Sequence, residues 1–256
     1  MMTSSSAVQG DDVVETHVSD FDANLIWRHF MFHGFQDSVW GFVIYRCCNE
    51  RDEDWGRMLQ KIRSELDYDN TDYQLSRDLV PFHNLHAIDD PGASIDQARH
   101  HFRSWIPENI RSRLRPEATD LNDITYNYLV YITPRYEYCL YVDDVCIESL
   151  DQDDVDCPVV TILDKDWEPY TPEELKELEE SEDFGVIGDG ATPALFHDRL
   201  TDDWEEDVGW MYIPLVYYFD RCFKLVKVDW DEQYVRPPYI EGFANESTFI
   251  GHWRNK

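Results

Sequence analysis

Carboxylates paired at the ends of apolar runs are the residues of this sequence best suited to chemistry. Tyr141-Val142-Asp143-Asp144 sits between two apolar stretches, and Val159-Val-Thr-Ile-Leu-Asp164-Lys-Asp166 closes another on an Asp-x-Asp pair. Aspartate oxygens are hard ligands, so such pairs can hold Mg²⁺ or Mn²⁺ for phosphoryl or glycosyl transfer. Asp143, Asp144, Asp164 and Asp166 are the candidate metal ligands, on the condition that the two strand ends lie side by side. Sharing one ion would need their carboxylates within about 4–6 Å of one another. The plainer reading is that Asp-Asp is common turn chemistry and that strands often end in water on charged residues. No GxSxG, Walker or GxGxxG sequence is present, so no catalytic residue is assigned.

The first motif resembles the catalytic hairpin of reverse transcriptases, and the second the metal-binding motif of nucleotide-sugar glycosyltransferases. The polymerase chemistry also needs an upstream strand-borne Asp, and the apolar run Tyr128 to Ile132 carries none. The transferase would need a nucleotide-binding unit, and no Gly-rich loop accompanies Asp164. Asp151-Gln-Asp153-Asp154-Val155-Asp156 fails as a calcium loop, because Val155 falls where a ligand belongs and Asp156 where glycine is needed. His29 with His33, and His83 with His86, lack the paired cysteines or the glutamate spacing of a zinc site.

The elements that would position these groups can be read from periodicity. Trp40-Gly-Phe-Val-Ile-Tyr45 reads as a strand, and Trp55, Met58, Leu59, Ile62 and Leu66 recur at helical spacing behind acidic residues. Residues 67–92 read as irregular. Ser94 and Gln97 form a capping box that opens a second helix, which Pro107 should end or restart. Strands are expected at Tyr128–Ile132, Tyr136–Val142, Val145–Leu150 and Pro158–Leu163, with Asp143-Asp144 as a hairpin turn. Thr171-Pro172-Glu173-Glu174 signals a helix start. Residues 185–207 read as a long loop, Trp210–Val228 as one or two strands, and Pro237-Pro238 as the start of an irregular wrap. The expected fold is α+β: a single domain with a mostly antiparallel or mixed sheet and helices packed on one face. Residues 1–20 read as a disordered leader, and 21–256 as the domain, with an acidic helical and loop insertion at about 165–207.

Charge is the most distinctive property of the chain, at a formal net −31. Nine Trp, 15 Tyr and 13 Phe supply a core, so this charge is carried by a folded protein. Between Asp143 and Asp207, 24 carboxylates face only Lys165, Lys176 and Arg199. By contrast, Arg99, Arg103, Arg111, Arg113 and Arg115 gather with His100 and His101 beside the single acid Glu108. The plain reading is a solvated acidic surface partly neutralised by this basic segment. The functional reading is a docking face for a basic protein, or self-association through opposite patches. The whole-molecule field disfavours nucleic acid and anionic lipid.

The first residues lack the basic and apolar regions of a secretory signal, and the apolar run Val208–Phe219 is too short to span a bilayer. None of the six cysteines forms a CxxC pair, so free thiols and an intracellular, cytoplasmic setting are expected, with the nucleus left open.

Several segments together resemble a group of uncharacterised proteins from filamentous fungi. They are Trp27-Arg-His-Phe30, Trp40 to Arg46, Asp54-Trp55, Phe102-Arg-Ser-Trp105, Tyr138 to Asp143, Gly209 to Pro214 and Tyr234 to Pro238. The resemblance transfers no site, but it implies that Asp143 is structural. The leading expectation is a non-catalytic interaction protein with an acidic docking face and no cofactor. Its rivals are a Mg²⁺- or Mn²⁺-dependent enzyme using the four aspartates, and a small-ligand binder with an aromatic pocket.

Overall fold

The computed structural model describes residues 39–49, 52–67, 83–113, 133–152, 158–169, 171, 173–174, 207–227, 230–237 and 239–240. The first unit is strand β1 (Val43–Arg46) running into helix α1 (Asp52–Asp67). Asp52, Glu53 and Asp54 lie in the helix's first turn, where its dipole favours carboxylates. Gly56 is exposed within this helix, and a Cβ there would meet nothing within 4 Å. Gly56→Ala should therefore stabilise the protein by about 0.5–1 kcal/mol in urea unfolding, by relieving the backbone entropy of a helical glycine. A loss of stability would show that this turn is not a free helix face.

Strand β2 (His86–Asp89) follows, inside the stretch expected to be irregular. Four residues at the sheet edge, alternately half-buried and exposed, leave too weak an alternation to announce themselves. Helix α2 (Ile95–Arg113) opens on the expected capping box: Ser94 N–H donates to Gln97 Oε1 at 2.8 Å, and Gln97 N–H to Ser94 Oγ at 3.2 Å. Pro107 neither ends nor restarts it. Ala98, Phe102, Ile106 and Ile110 stay in phase on one buried stripe across the proline. Burying that stripe outweighs the single backbone hydrogen bond that proline removes.

A helical turn, α3 (Pro134–Glu137), leads into β3 (Tyr138–Val142), so the expected strand from Tyr136 starts two residues later. The chain then does not turn back as a hairpin. Asp143 caps helix α4 (Asp144–Glu148), accepting Cys146 N–H at 2.9 Å, and a 3-10 turn (Ser149–Asp151) follows. Val145, Cys146 and Ile147 are all buried, so no exposed face marks the helical period, and a strand was the natural misreading. Strand β4 (Val159–Asp164) matches its expectation, and β5 (Trp210–Pro214) is the one strand within Trp210–Val228. Beyond a 3-10 turn (Leu215–Tyr217), that stretch becomes helix α5 (Tyr218–Lys227), then a turn, α6 (Trp230–Gln233). Tyr218, Cys222 and Leu225 supply its buried face.

The expected α+β class holds. The five strands form one mixed sheet in the order β2-β1-β3-β4-β5, with β1 parallel to β2 and β3, and the β3–β4 and β4–β5 pairs antiparallel. All five residues of both β3 and β5 are buried, so cover is provided on both faces. Tyr45 meets His101 and Phe102 of α2, whereas Phe42, three residues earlier, packs edge-on against Tyr218 of α5. One hydrophobic core joins these layers. Cys47, Cys48, Cys139, Cys146 and Cys222 are buried free thiols within it. Among the described residues, no helix is long and apolar enough to cross a membrane. The leader at 1–20, the strand expected at Tyr128–Ile132, Cys157 and the loop expected over 185–206 lie outside the described residues.

Candidate functional site

The register of β3 against β4 decides what the four aspartates can do together. Tyr138 pairs with Asp164 and Tyr141 with Thr161, so Asp164 lies beside the start of β3, while Asp143 and Asp144 follow its end. At about 3.4 Å per residue, the two pairs stand more than about 13 Å apart along the sheet. The structure does not bring the four together to share an ion. Asp143 is held as the cap of α4, and Asp144 Oδ1 accepts Asn49 N–H at 2.9 Å. Among the described residues, no group of three or more His, Cys, Asp or Glu side chains is placed to hold a metal. His83 bonds Tyr218 through Nε2, whereas His86 stacks on Trp105; His29 and His33 lie outside the described residues. Asp151 is exposed and paired with Arg57.

What the sheet does assemble is a stem that joins residues 164–168 to residues 207–209, inside the acidic stretch and at its end. Asp164 N–H donates to Gly209 O at 3.0 Å, which continues the β4–β5 ladder one step. Arg99 reaches this junction from α2. Its Nε donates to Asp164 O at 2.9 Å, its Nη2 to Gly209 O at 3.0 Å and its Nη1 to Asp96 Oδ1 at 2.9 Å. The guanidinium also lies over the Trp167 ring, 4.7 Å from its centroid. Trp167 Nε1 donates to Asp207 O at 3.0 Å, so a residue just after β4 is tied to one just before β5. Asp207 in turn accepts Gly209 N–H at 2.7 Å and Trp230 Nε1–H at 3.0 Å. One helical turn after Arg99, Arg103 bonds Lys165 O and Trp167 O and pairs with Glu168.

The expected basic patch is thereby taken apart. Arg99 is 4% exposed, and it and Arg103 bind backbone carbonyls instead of presenting charge outward. Arg113 donates to Tyr136 Oη at 2.6 Å. Arg111 is exposed, and Arg115 lies outside the described residues. The missed signal was positional: Arg99 and Arg103 flank the stripe of Ala98, Phe102 and Ile106, which places their stems beside the sheet.

Carboxylates crowd the stem, and burial raises their proton affinity. Asp164 is pushed up to about 6 by burial, against the Asp166 N–H and Lys165; Asp166 and Asp207 add repulsion. Burial likewise raises Asp207. Glu137 is raised for the same reason, although Lys165 Nζ stands 3.0 Å from its Oε2. Lys165 favours the ionised form, but its ammonium also serves Asp166, so burial prevails.

A carboxyl whose folded affinity for protons exceeds its unfolded value costs stability once it ionises. The cost grows as pH rises from about 4 through about 6 for Asp164, the same direction holding for Glu137. The stem carboxyls should therefore favour folding at pH 5.5 over pH 7.5 by on the order of 2 kcal/mol, which His83, buried neutral and held down to about 4, offsets by on the order of 1 kcal/mol. Urea titrations at the two pH values check this, and Asp164→Asn should shrink the difference. An Asp164→Asn variant whose stability differs between the two pH values by as much as the wild type's would refute the account of the stem.

Comparison with protein-family models, with curated proteins and with solved structures finds no match to this chain, so its function has to be argued from the stem and the charge it carries.

Proposed function

We propose that this is a non-catalytic docking protein of the cell interior, whose acidic stretch at 143–207 recruits a basic protein partner. The observation that carries the reading is the sorting of charge between inside and outside. Among the described residues, the buried charged side chains are Arg99, Arg135, Lys165, Arg221 and Arg236 against one acid, Asp54. In a chain with 22 basic and 53 acidic residues, the fully buried charges among the described residues are mostly cations, while Glu137, Asp164 and Asp207 are half-buried at the stem. A guanidinium bonded to backbone carbonyls, like that of Arg99, cannot swing out to compete with an incoming cation. Asp151, Asp166, Glu168, Glu173 and Glu174 of the acidic stretch are exposed. The stem ties residues 164–168 and 207–209 to one another and to the sheet, so the part of the stretch between them starts and ends on a fixed base.

Charge recognition of this kind speeds encounter and sets specificity, and it weakens with salt. A fluorescent lysine- and arginine-rich peptide should bind the full chain, with Kd rising roughly tenfold or more between 50 and 300 mM NaCl. Absence of binding at 50 mM NaCl, or a salt-independent Kd, would remove the proposal.

A further inference from the structure

A second buried cation takes no part in the contacts of the stem. Arg135 of α3 is 4% exposed, and its Nη1 donates to Gly41 O and to Asn84 O, both at 2.7 Å. These bonds tie the approach to β1 to the approach to β2, beside the Trp40–His83 bridge. The Nε–H of the same guanidinium is buried and meets no acceptor among the described residues.

The groups that feel this charge are His83, His86, Tyr218 and Cys222, none of them anionic at neutral pH. Further positive charge comes from Arg113, acting on Arg135, and from Arg63, acting on His83. Burial and these neighbours hold His83 neutral, down to about 4, and burial also lowers Arg135, to about 10. Among the described residues, no carboxylate pairs with Arg135. In a chain with more than two acids for every base, this arrangement is the reverse of what random placement would give. A buried cation left uncompensated is costly, and an anion is the partner that relieves it.

We propose that Arg135 is the anchor of a binding site for a small oxyanion, a carboxylate- or phosphate-bearing ligand, held on the Nε edge of its guanidinium beside His83 and Tyr218. With Nη1 committed to two carbonyls, the Nε edge is the remaining side of the fork. That side presents parallel N–H donors in the spacing that carboxylate and phosphate oxygens match. His83 Nε2 and Tyr218 Oη, 2.8 Å apart, form a neutral pair that can add one donor without adding charge. The surrounding −31 field bars polyanions from the surface, which restricts the ligand to a small molecule able to enter.

Thermal unfolding of the full chain in graded sodium phosphate or sodium acetate, with ionic strength held constant by NaCl, tests this. The expected result is a saturable rise in Tm of about 3 °C or more with at least one anion. Which anion saturates distinguishes a phosphate ligand from a carboxylate one. Arg135→Lys keeps the charge but loses the fork, and should abolish the saturable rise; Arg111→Lys, on an exposed residue, should leave it intact. Should Arg135→Lys fail to fold, wild-type crystals soaked in selenate should show an anomalous peak within hydrogen-bonding reach of Arg135 Nε. No saturable rise with either anion, an undiminished rise in Arg135→Lys, or no peak at Arg135 would overturn the proposal.

Discussion

Gly209→Ala should destabilise the protein by about 3 kcal/mol, as left-handed backbone strain adds to a steric clash. Gly209 has φ +69°, where a Cβ is disfavoured, and that Cβ would lie 2.2 Å from Trp167 Cγ and 2.4 Å from its Cβ. Trp167 cannot simply withdraw. Its indole N–H is bonded to Asp207 O, and its ring lies under Arg99. Moving Gly209 instead would break its bonds to Asp164, Arg99 and Asp207 together. Chemical denaturation should show a lower midpoint with an unchanged slope, and weaker binding of the basic peptide below the unfolding range. A variant as stable as the wild type would mean that residues 164–168 and 207–209 are not joined as described.

Arg99→Ala should cost about 2–4 kcal/mol, since two buried carbonyls each lose a donor. Its removal leaves the Asp164 and Gly209 carbonyls without their guanidinium partner and uncovers the Trp167 ring. Arg99→Lys should recover only a minor part, because an ammonium cannot reach two carbonyls and a carboxylate while lying flat on an indole. Arg103 offers an internal comparison: its side chain is 36% exposed, and Arg103→Ala should cost about 1 kcal/mol, within the range for partly solvated hydrogen bonds. Equal losses at positions 99 and 103 in urea unfolding would contradict the central place given to Arg99.

These two sites show where a sequence stops being readable. The β1–α1 unit, the Ser94 capping box and β4 announce themselves because each signal is local: a β-branched run, an acidic first turn, a cap at three-residue spacing. Helices α4 and α5 do not, because Val145-Cys-Ile147 and Tyr218-Phe219 are apolar whichever period is tried. β2 is hidden by its length and edge position. The stem is harder still. Arg99 and Asp164 stand 65 positions apart, and the sequence presents them as members of two opposed surface patches; only the β3–β4 register and the line of α2 across the sheet make them neighbours. The same register separates Asp143 and Asp144 from Asp164 and Asp166, which similar motifs had suggested grouping. Asp143 was legible as a turn residue, but its capping role depends on a helix that the sequence concealed.

The acidic docking face is the central claim, and position must be separated from total charge to test it. Two variants should be compared with the wild type for binding of the basic peptide at 50 mM NaCl. One carries Glu177→Gln, Glu179→Gln, Glu180→Gln and Glu182→Gln within the acidic stretch. The other carries Asp11→Asn, Asp12→Asn, Glu15→Gln and Asp20→Asn, which removes the same charge from the N-terminal region. If the acidic stretch is the docking face, the first variant raises Kd roughly tenfold, about 1.4 kcal/mol, and the second changes it less than about twofold. Equal weakening by the two sets would show that the peptide answers only to net charge, and would contradict the claim.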